Sequence, residues 1–393
     1  MIICFDRKLT NQLTSFPHRK RKVQSQNVVD EVDSVIEHLL NGLEKRLGIK
    51  CEAIDLNADD IMLRFATDLI FTCFYKQKDA VDFVSNEDFY TGLIQNCVDK
   101  FAQPIVPYAM LFPLLRPVIN WIVETVTGIG YGKKLVFSSI DKQMATSGMA
   151  RKEMDAAKKK GVHIDPDNVK LSDGRIIKRN MIDAFFDSYY DGKVTRTEYI
   201  NTSLFLFLAG VKTVADAISR LLYYLAIHMP VQEKLRESII ESGTDSEYLT
   251  WCINEVLRLE PPVPMGSSRE LDKDYKVEGG VVPKGTFVIP HSYTLHRLPE
   301  YWGEDASQFK PERWQHADKF HPAQYMPFGL GPRACPGKDL AMVVIRKLMG
   351  LLLTRYKFER SSKTSDANLF RSFLHVFVIY EFPTYVRMTR LKL

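Results

Sequence analysis

The stretch 328–337 reads F-G-L-G-P-R-A-C-P-G, and the rest of the chain is organised around it. Cys335 is enclosed by Gly329, Gly331 and Gly337, with Pro332 and Pro336 fixing the backbone between them. Immediately downstream, 339–356 carries apolar residues at Leu340, Val343, Val344, Leu348 and Leu351, the spacing of an amphipathic helix. The cysteine therefore sits on a stiff, glycine-rich loop at the electropositive end of a helix. Backbone N–H groups and the helix dipole favour a thiolate at such a position. Glycine on both sides lets something flat and bulky approach the backbone. Arg333, two residues before the sulfur, can pair with an anionic group on that partner. An isolated cysteine beside a glycine turn is more often structural, but the whole constellation points to a ligand.

With 393 residues the chain exceeds one ordinary hydrophobic core, so length alone suggests two or three domains. No Gly/Ser-rich or Pro-rich linker marks a boundary, and no repeats or low-complexity tracts occur. The 45% hydrophobic content with mixed charges describes a globular protein. Cys4, Cys51, Cys73, Cys97, Cys252 and Cys335 show neither metal-ligand spacing nor a disulfide framework, which fits a reducing compartment. The net charge of +5 is modest. Its basic clusters at 19–22 and 158–160 read as solvated surface, or as a docking face for an acidic redox partner, rather than as a nucleic-acid site. The opening 1–8 is too short and charged for a signal peptide. The best candidate membrane span, 104–123, is interrupted by Pro107, Pro113, Arg116 and Pro117.

Most of the first half reads as helices. Val28, Val32, Val35, Ile36, Leu39, Leu40, Leu43 and Leu47 form one apolar stripe. Further helices are expected at 56–75, with Ile61, Phe65, Leu69 and Cys73 in helical register, and at 87–101. The Pro-rich stretch 104–121 suits a broken pair of short helices over a cavity, or ordinary core packing. A charged connector with turn signals at Asp165-Pro166 and Asp173-Gly174 spans 151–179. A long helix over 197–228 ends before Pro230, and its apolar middle, 204–210, predicts burial on all sides. Another helix, 248–259, is stopped by Pro261-Pro262 and carries Glu255 and Arg258 at i, i+3. Alternation over 277–290 predicts short strands and a hairpin. His296 and His321 have no partners at ligand spacing and read as structural.

The 328–337 stretch resembles the haem-ligating loop of the cytochrome P-450 family, F-x-x-G-x-R-x-C-x-G. Phe328, Gly331, Arg333, Cys335 and Gly337 fill every specified position, and Ala341 follows where the family usually has alanine. The resemblance implies a mainly α fold with a small β region, a single domain over 1–393, and Cys335 as axial thiolate of haem b. The segment from Arg64, R-F-A-T-D-L-I-F-T-C-F, resembles a helix of animal microsomal, xenobiotic-metabolising members. Residues 209–214, A-G-V-K-T-V, fall where the family has A/G-G-x-D/E-T-T/S. There the small pair leaves room for dioxygen while the acid and hydroxyl relay protons. Thr213 keeps the hydroxyl, Lys212 replaces the acid and Val214 replaces the second hydroxyl. An ammonium is a poor relay near neutral pH unless burial lowers its pKa. The segment 309–314, F-K-P-E-R-W, resembles the family's P-E-R segment, whose arginine, here Arg313, joins Glu255 and Arg258 in supporting the cysteine loop. Arg269 matches the family arginine that reaches a haem propionate, as Arg333 does; its plainer reading is an exposed loop arginine.

By the same resemblance the chain is expected to insert one oxygen atom from dioxygen into a small lipophilic substrate. Electrons would come from NADPH through a flavoprotein reductase at the cytoplasmic face of the endoplasmic reticulum, with peripheral membrane contact and no nucleic acid involved. Two alternatives stand beside it. One is a haem-thiolate isomerase or dehydratase of peroxides, to which Lys212 and Val214 point. The other is a truncated, non-catalytic haem-binding remnant. The resemblance runs from about 28 to 358, and the chain opens near the family's third or fourth helix, so an N-terminal truncation is expected. If Arg7 is the arginine of the family's W-x-x-x-R contact, Ile3 stands where Trp belongs. The ending after Lys363, strongly apolar over 370–380, departs from the family's final hairpin.

Overall fold

The apolar stripe at 28–47 forms helix α1 (Gln26–Leu47) of the computed structural model, which describes residues 26–48, 52–77, 81–84, 129–266, 268–365, 371–372, 379–380 and 383–391. Every stripe residue is at most 3% exposed, so the 3.6-residue periodicity translates directly into core. Strand β1 (Ala53–Asn57) leads into α2 (Ala58–Tyr75). The helix expected over 56–75 is thus corrected at its start. Ala53–Asn57 is extended because it pairs antiparallel with a strand more than 300 residues further on, Leu56 opposite Val386. Asn57 then caps α2, its side-chain oxygen accepting the Asp60 N–H at 3.2 Å.

Helix α3 (Ile129–Lys159) precedes a hairpin, β2 (Asn168–Lys170) with β3 (Ile176–Lys178), and α4 (Met181–Tyr190). The connector expected over 151–179 is therefore helical to Lys159. Ala150 and Met154 lay one face of α3 on Val169, Leu171 and Ile177, and that burial holds a charged sequence in helical form. The expected helix at 87–101 and the Pro-rich segment 104–123 lie outside the described residues, as do Ile3, Arg7, the basic cluster at 19–22 and most of 366–382.

The long helix is α5 (Arg196–Ile227). Thr195 and Glu198 form a reciprocal capping box at its start. It crosses α2 closely at Gly210, where an added Cβ would stand 2.7 Å from Ile70 Cδ1. The expectation of a middle buried on all sides is corrected. Phe207 and Val211 are buried, whereas Leu204, Leu206, Leu208, Ala209, Gly210 and Thr213 are half-buried. The continuously buried part comes later, from Val214 to Leu222, where α2, α7, β8 and β11 enclose the helix.

Next come α6 (Met229–Ser242) and α7 (Glu247–Leu259). Strands β4 (Arg269–Glu270) and β7 (Phe287–Val288) pair around the hairpin β5 (Tyr275–Val277) and β6 (Gly280–Val282), as the alternation over 277–290 predicts. Two single-turn helices, α8 (Ser292–Leu295) and α9 (Pro299–Trp302), and a 3-10 segment, Pro311–Lys319, approach the cysteine loop. Helix α10 (Lys338–Arg355) follows that loop. The chain then runs through β8 (Tyr356–Arg360), the short pair β9 (Arg371–Ser372) and β10 (Ile379–Tyr380), and β11 (Tyr385–Arg390). β11 lies between β1 and β8 in a three-stranded antiparallel sheet. Its inward face, Val386 and Met388, joins Phe358 and the helices in one core. No helix among the described residues is long and apolar enough to cross a membrane.

Candidate thiolate site

Backbone hydrogen bonds close the loop around Cys335 in three steps. Gly329 N–H donates to Met326 O at 3.0 Å, Ala334 N–H to Gly331 O at 3.0 Å, and Cys335 N–H to Phe328 O at 2.7 Å. Gly329 (φ +69°) and Gly331 (φ +70°) lie in the left-handed region, where any other L-residue would cost about 1–2 kcal/mol. A Cβ on Gly337 would stand 3.8 Å from the Cys335 sulfur, so this glycine lines the thiol directly. Helix α10 starts at the next residue. Phe328 is half-buried against the core, with the Lys338 ammonium 5.8 Å from its ring centre. Arg333 ends the 3-10 turn Gly331–Arg333 and is half-buried.

The other described cysteines provide the contrast. Cys73 is 3% exposed and Cys252 is 0% exposed. Burial pushes both thiols well up, and neighbouring carboxylates (Glu31 and Asp68; Glu312 and Glu255) push them further. Both environments disfavour the thiolate. Cys335 is half-buried, on a rigid backbone, beside glycines.

A buried charge cluster ties together the segments that precede the loop. Glu255 accepts from Arg258 Nε at 2.9 Å and Nη2 at 2.8 Å, from Arg313 Nε at 2.8 Å, from Lys310 N–H at 3.0 Å and from Trp314 Nε1 at 2.9 Å. Arg258 also donates to the carbonyls of His296, Ala306 and Gln308. Arg313 reaches Trp302 O and Asp305. Glu255 and Arg258 are fully buried, and so belong to the packing rather than to a reacting surface.

His296 extends this support and was not legible as such in the sequence. Its carbonyl is held by Arg258, and its Nε2 accepts the Met326 N–H at 3.0 Å, two residues before Phe328. The residue is 0% exposed. Burial, assisted by the Arg258 and Arg297 guanidiniums, pushes its pKa down to about 4. The folded state therefore favours the neutral ring, while the unfolded chain takes up a proton below about pH 6.5. Stability carried by His296 is complete above that pH and is lost as pH falls towards 4. At about 1.4 kcal/mol per tenfold change in proton affinity, the loss is roughly 3 kcal/mol. Urea midpoints between pH 7 and 4.5 should fall less steeply for His296→Gln, which keeps an acceptor for Met326 but cannot titrate. Equal slopes would remove His296 from the account. His321, by contrast, is exposed and caps its own turn, Nδ1 accepting the Ala323 N–H at 3.1 Å.

The remaining predicted residues are placed differently. Arg269 lies exposed on β4, its guanidinium donating to the neighbouring Ser268 carbonyl at 3.0 Å. Thr213, on the half-buried middle of α5, donates its hydroxyl to Ala209 O at 2.6 Å. Lys212 is paired with Asp216 one turn later, a partner not anticipated from the sequence.

A half-buried sulfur on a glycine-walled, hydrogen-bonded loop at a helix start fits a soft, flat metal complex, and Arg333 adds a cation beside it. The fold is mainly α-helical with small antiparallel sheets, and its glycine-rich loop presents one cysteine at a helix start. The chain belongs to the cytochrome P-450 family, whose family model matches residues 6–386. Among curated relatives, cytochrome P-450 CYP13A5 of Caenorhabditis elegans, a provisional name, is 36% identical over 186 residues, covering 44% of this chain and 36% of that protein. Cytochrome P-450 3A29 of Sus scrofa is 34% identical over 184 residues (44% and 36%), and cytochrome P-450 714A2 of Arabidopsis thaliana 35% over 186 (44% and 35%). The matched stretch thus spans about a third of each relative.

Proposed function

We infer that the chain is a haem-thiolate monooxygenase. It would act as a single domain, inserting one oxygen atom from dioxygen into a small lipophilic substrate. The observation that carries this reading is the Cys335 loop, with its three glycines, its closed backbone and its family match. Cys335 would ligate the haem iron, with Phe328, Gly331 and Gly337 shaping the face it presents, and Arg333 and Arg269 would bind propionates. Haem ligated by a thiolate supplies the activation of dioxygen. Thr213 positions dioxygen or its water through its hydroxyl. Glu255, Arg258 and Arg313 hold the loop in register. Electrons come from NADPH through a flavoprotein reductase, by analogy with the family, and the same analogy gives a site of action on the endoplasmic reticulum membrane.

Haem is titrated into the purified chain, and the reduced carbon monoxide spectrum is recorded. NADPH-dependent oxidation of a lipophilic probe is then measured with a reductase. A thiolate-type spectrum with reductase-dependent product is expected. Such a spectrum with peroxide consumption but no reductase-driven product would replace the reading by a peroxide isomerase or dehydratase. Haem uptake with neither activity would leave a haem-binding remnant.

A further inference from the structure

The central helix carries a buried charge that the sequence motif does not account for. Asp216 is 4% exposed, and among the described residues its Oδ1 is paired with Lys212 while its Oδ2 has no hydrogen-bond partner. Helical spacing places residue 216 at i+4 from Lys212 and at i+3 from Thr213, so it neighbours both on one face. Thr213 donates to Ala209 O, which leaves its oxygen able to accept. One turn beyond, Arg220 is paired with Asp59 at the start of α2, and Asp59 also accepts the Thr384 N–H at 2.8 Å. Four charged groups facing one another, Lys212, Asp216, Arg220 and Asp59, thus run from the half-buried middle of α5 into the core.

We propose that Asp216 is the proton-holding carboxyl of this site, with Lys212 as its counter-ion and Thr213 as the group it serves. The proposal rests on the monooxygenase reading above. An orphaned, buried carboxylate oxygen is costly as an anion and accommodated as a protonated group. The surroundings agree. Burial pushes the Asp216 carboxyl above the ordinary aspartate range, Lys212 and Arg220 oppose the rise, and the Asp59 carboxylate adds to it. Burial also raises Asp59, but Arg220 and the Thr384 N–H outweigh it and hold Asp59 low. Of the two carboxyls, Asp216 is therefore the one whose surroundings favour a proton.

With haem bound, Asp216 would hand its proton to the Thr213 oxygen, and the Thr213 hydroxyl, released from Ala209 O, would supply its own to the oxygen side of the site. The carboxylate left behind is neutralised by the Lys212 ammonium and reprotonated from water. Lys212 is then a holder of charge rather than a substitute acid. Lys212→Glu would set two buried carboxylates at i, i+4 and is not expected to improve the relay.

The test uses the full haem-loaded chain with Asp216→Asn, Asp216→Glu and Lys212→Met, each first checked for an unchanged reduced carbon monoxide spectrum. Infrared difference spectra against pH should show one protonated carboxyl that titrates above the ordinary aspartate range. It should vanish in Asp216→Asn and titrate higher still in Lys212→Met. Acid–base groups typically contribute about 10²–10⁴-fold. Product formed per NADPH should accordingly fall at least about 10-fold in Asp216→Asn, with more hydrogen peroxide released, and recover largely in Asp216→Glu. Persistence of the carboxyl band in Asp216→Asn, or unchanged coupling and pH profile, would overturn the proposal. A wild-type chain that shows the band but no reductase-driven product would instead overturn the monooxygenase reading, while the band still assigns the proton to Asp216.

Discussion

Glu255→Ala is expected to leave little soluble, haem-retaining protein. The substitution removes the common acceptor of five donors, on Arg258, Arg313, Lys310 and Trp314. It also leaves Arg258, fully buried, without its counter-charge. Breaking one side of a buried pair costs about 3–5 kcal/mol, and each orphaned buried donor adds about 1–3 kcal/mol. The sum rivals the whole stability of an ordinary domain, about 5–15 kcal/mol. Buried ion pairs can often be exchanged for apolar residues at no loss, but not here. Arg258 also satisfies the carbonyls of His296, Ala306 and Gln308, so Glu255→Leu combined with Arg258→Met should recover little. Urea denaturation and haem content after gel filtration measure both. A Glu255→Ala loss below about 1 kcal/mol would mean that water replaces the carboxylate, since exposed pairs contribute only that much.

The second large effect is at Cys335. Cys335→Ala should abolish the thiolate-type carbon monoxide spectrum altogether, because the other described cysteines, Cys73 and Cys252, are buried and their thiols are pushed well up. Cys252→Ala should lower stability modestly, by the loss of one small buried side chain, and leave the spectrum intact. An unchanged spectrum in Cys335→Ala would falsify the ligand assignment.

Where periodicity coincided with burial, the sequence was readable. The stripe from Val28 to Leu47, the helix ending at Leu259 and the helix after Gly337 needed only local information, because one side chain in three or four decides the face. Glu255, Arg258 and Arg313 also meet where the motifs place them, although i, i+3 spacing alone carried no sign that Trp314 and Lys310 would share the same carboxylate. What was missed depends on partners distant in sequence. Ala53–Asn57 is too short for its apolar/polar alternation to stand out beside the adjoining helical pattern, and it becomes a strand through Tyr385–Arg390. The charged run after Arg151 is helical because one face meets the hairpin at Val169 and Ile177. The half-buried middle of α5 was overestimated, since apolar composition does not say how many sides have neighbours. Asp216 is not legible in the sequence because its significance lies in a pairing with Lys212 and in an oxygen that no described residue satisfies. His296 reads from the sequence only as a structural residue, because its contact with Met326 reveals itself only in three dimensions.

The central position of β11 in its sheet has a consequence for biosynthesis. Strand β1 emerges early from the ribosome but has no strand neighbour among the described residues until residues 385–390 are made. Thr384 likewise completes the pairing of Asp59 with Arg220 that ties α2 to α5. The N-terminal helices can collapse during translation, but they cannot be locked in place until the last strand threads between β1 and β8. Closing such long loops is slow, and the waiting chain exposes strand edges. A ribosome stalled short of residue 385 would therefore display a protease-sensitive nascent chain. One tethered by a linker long enough to free β11 should become resistant as a unit.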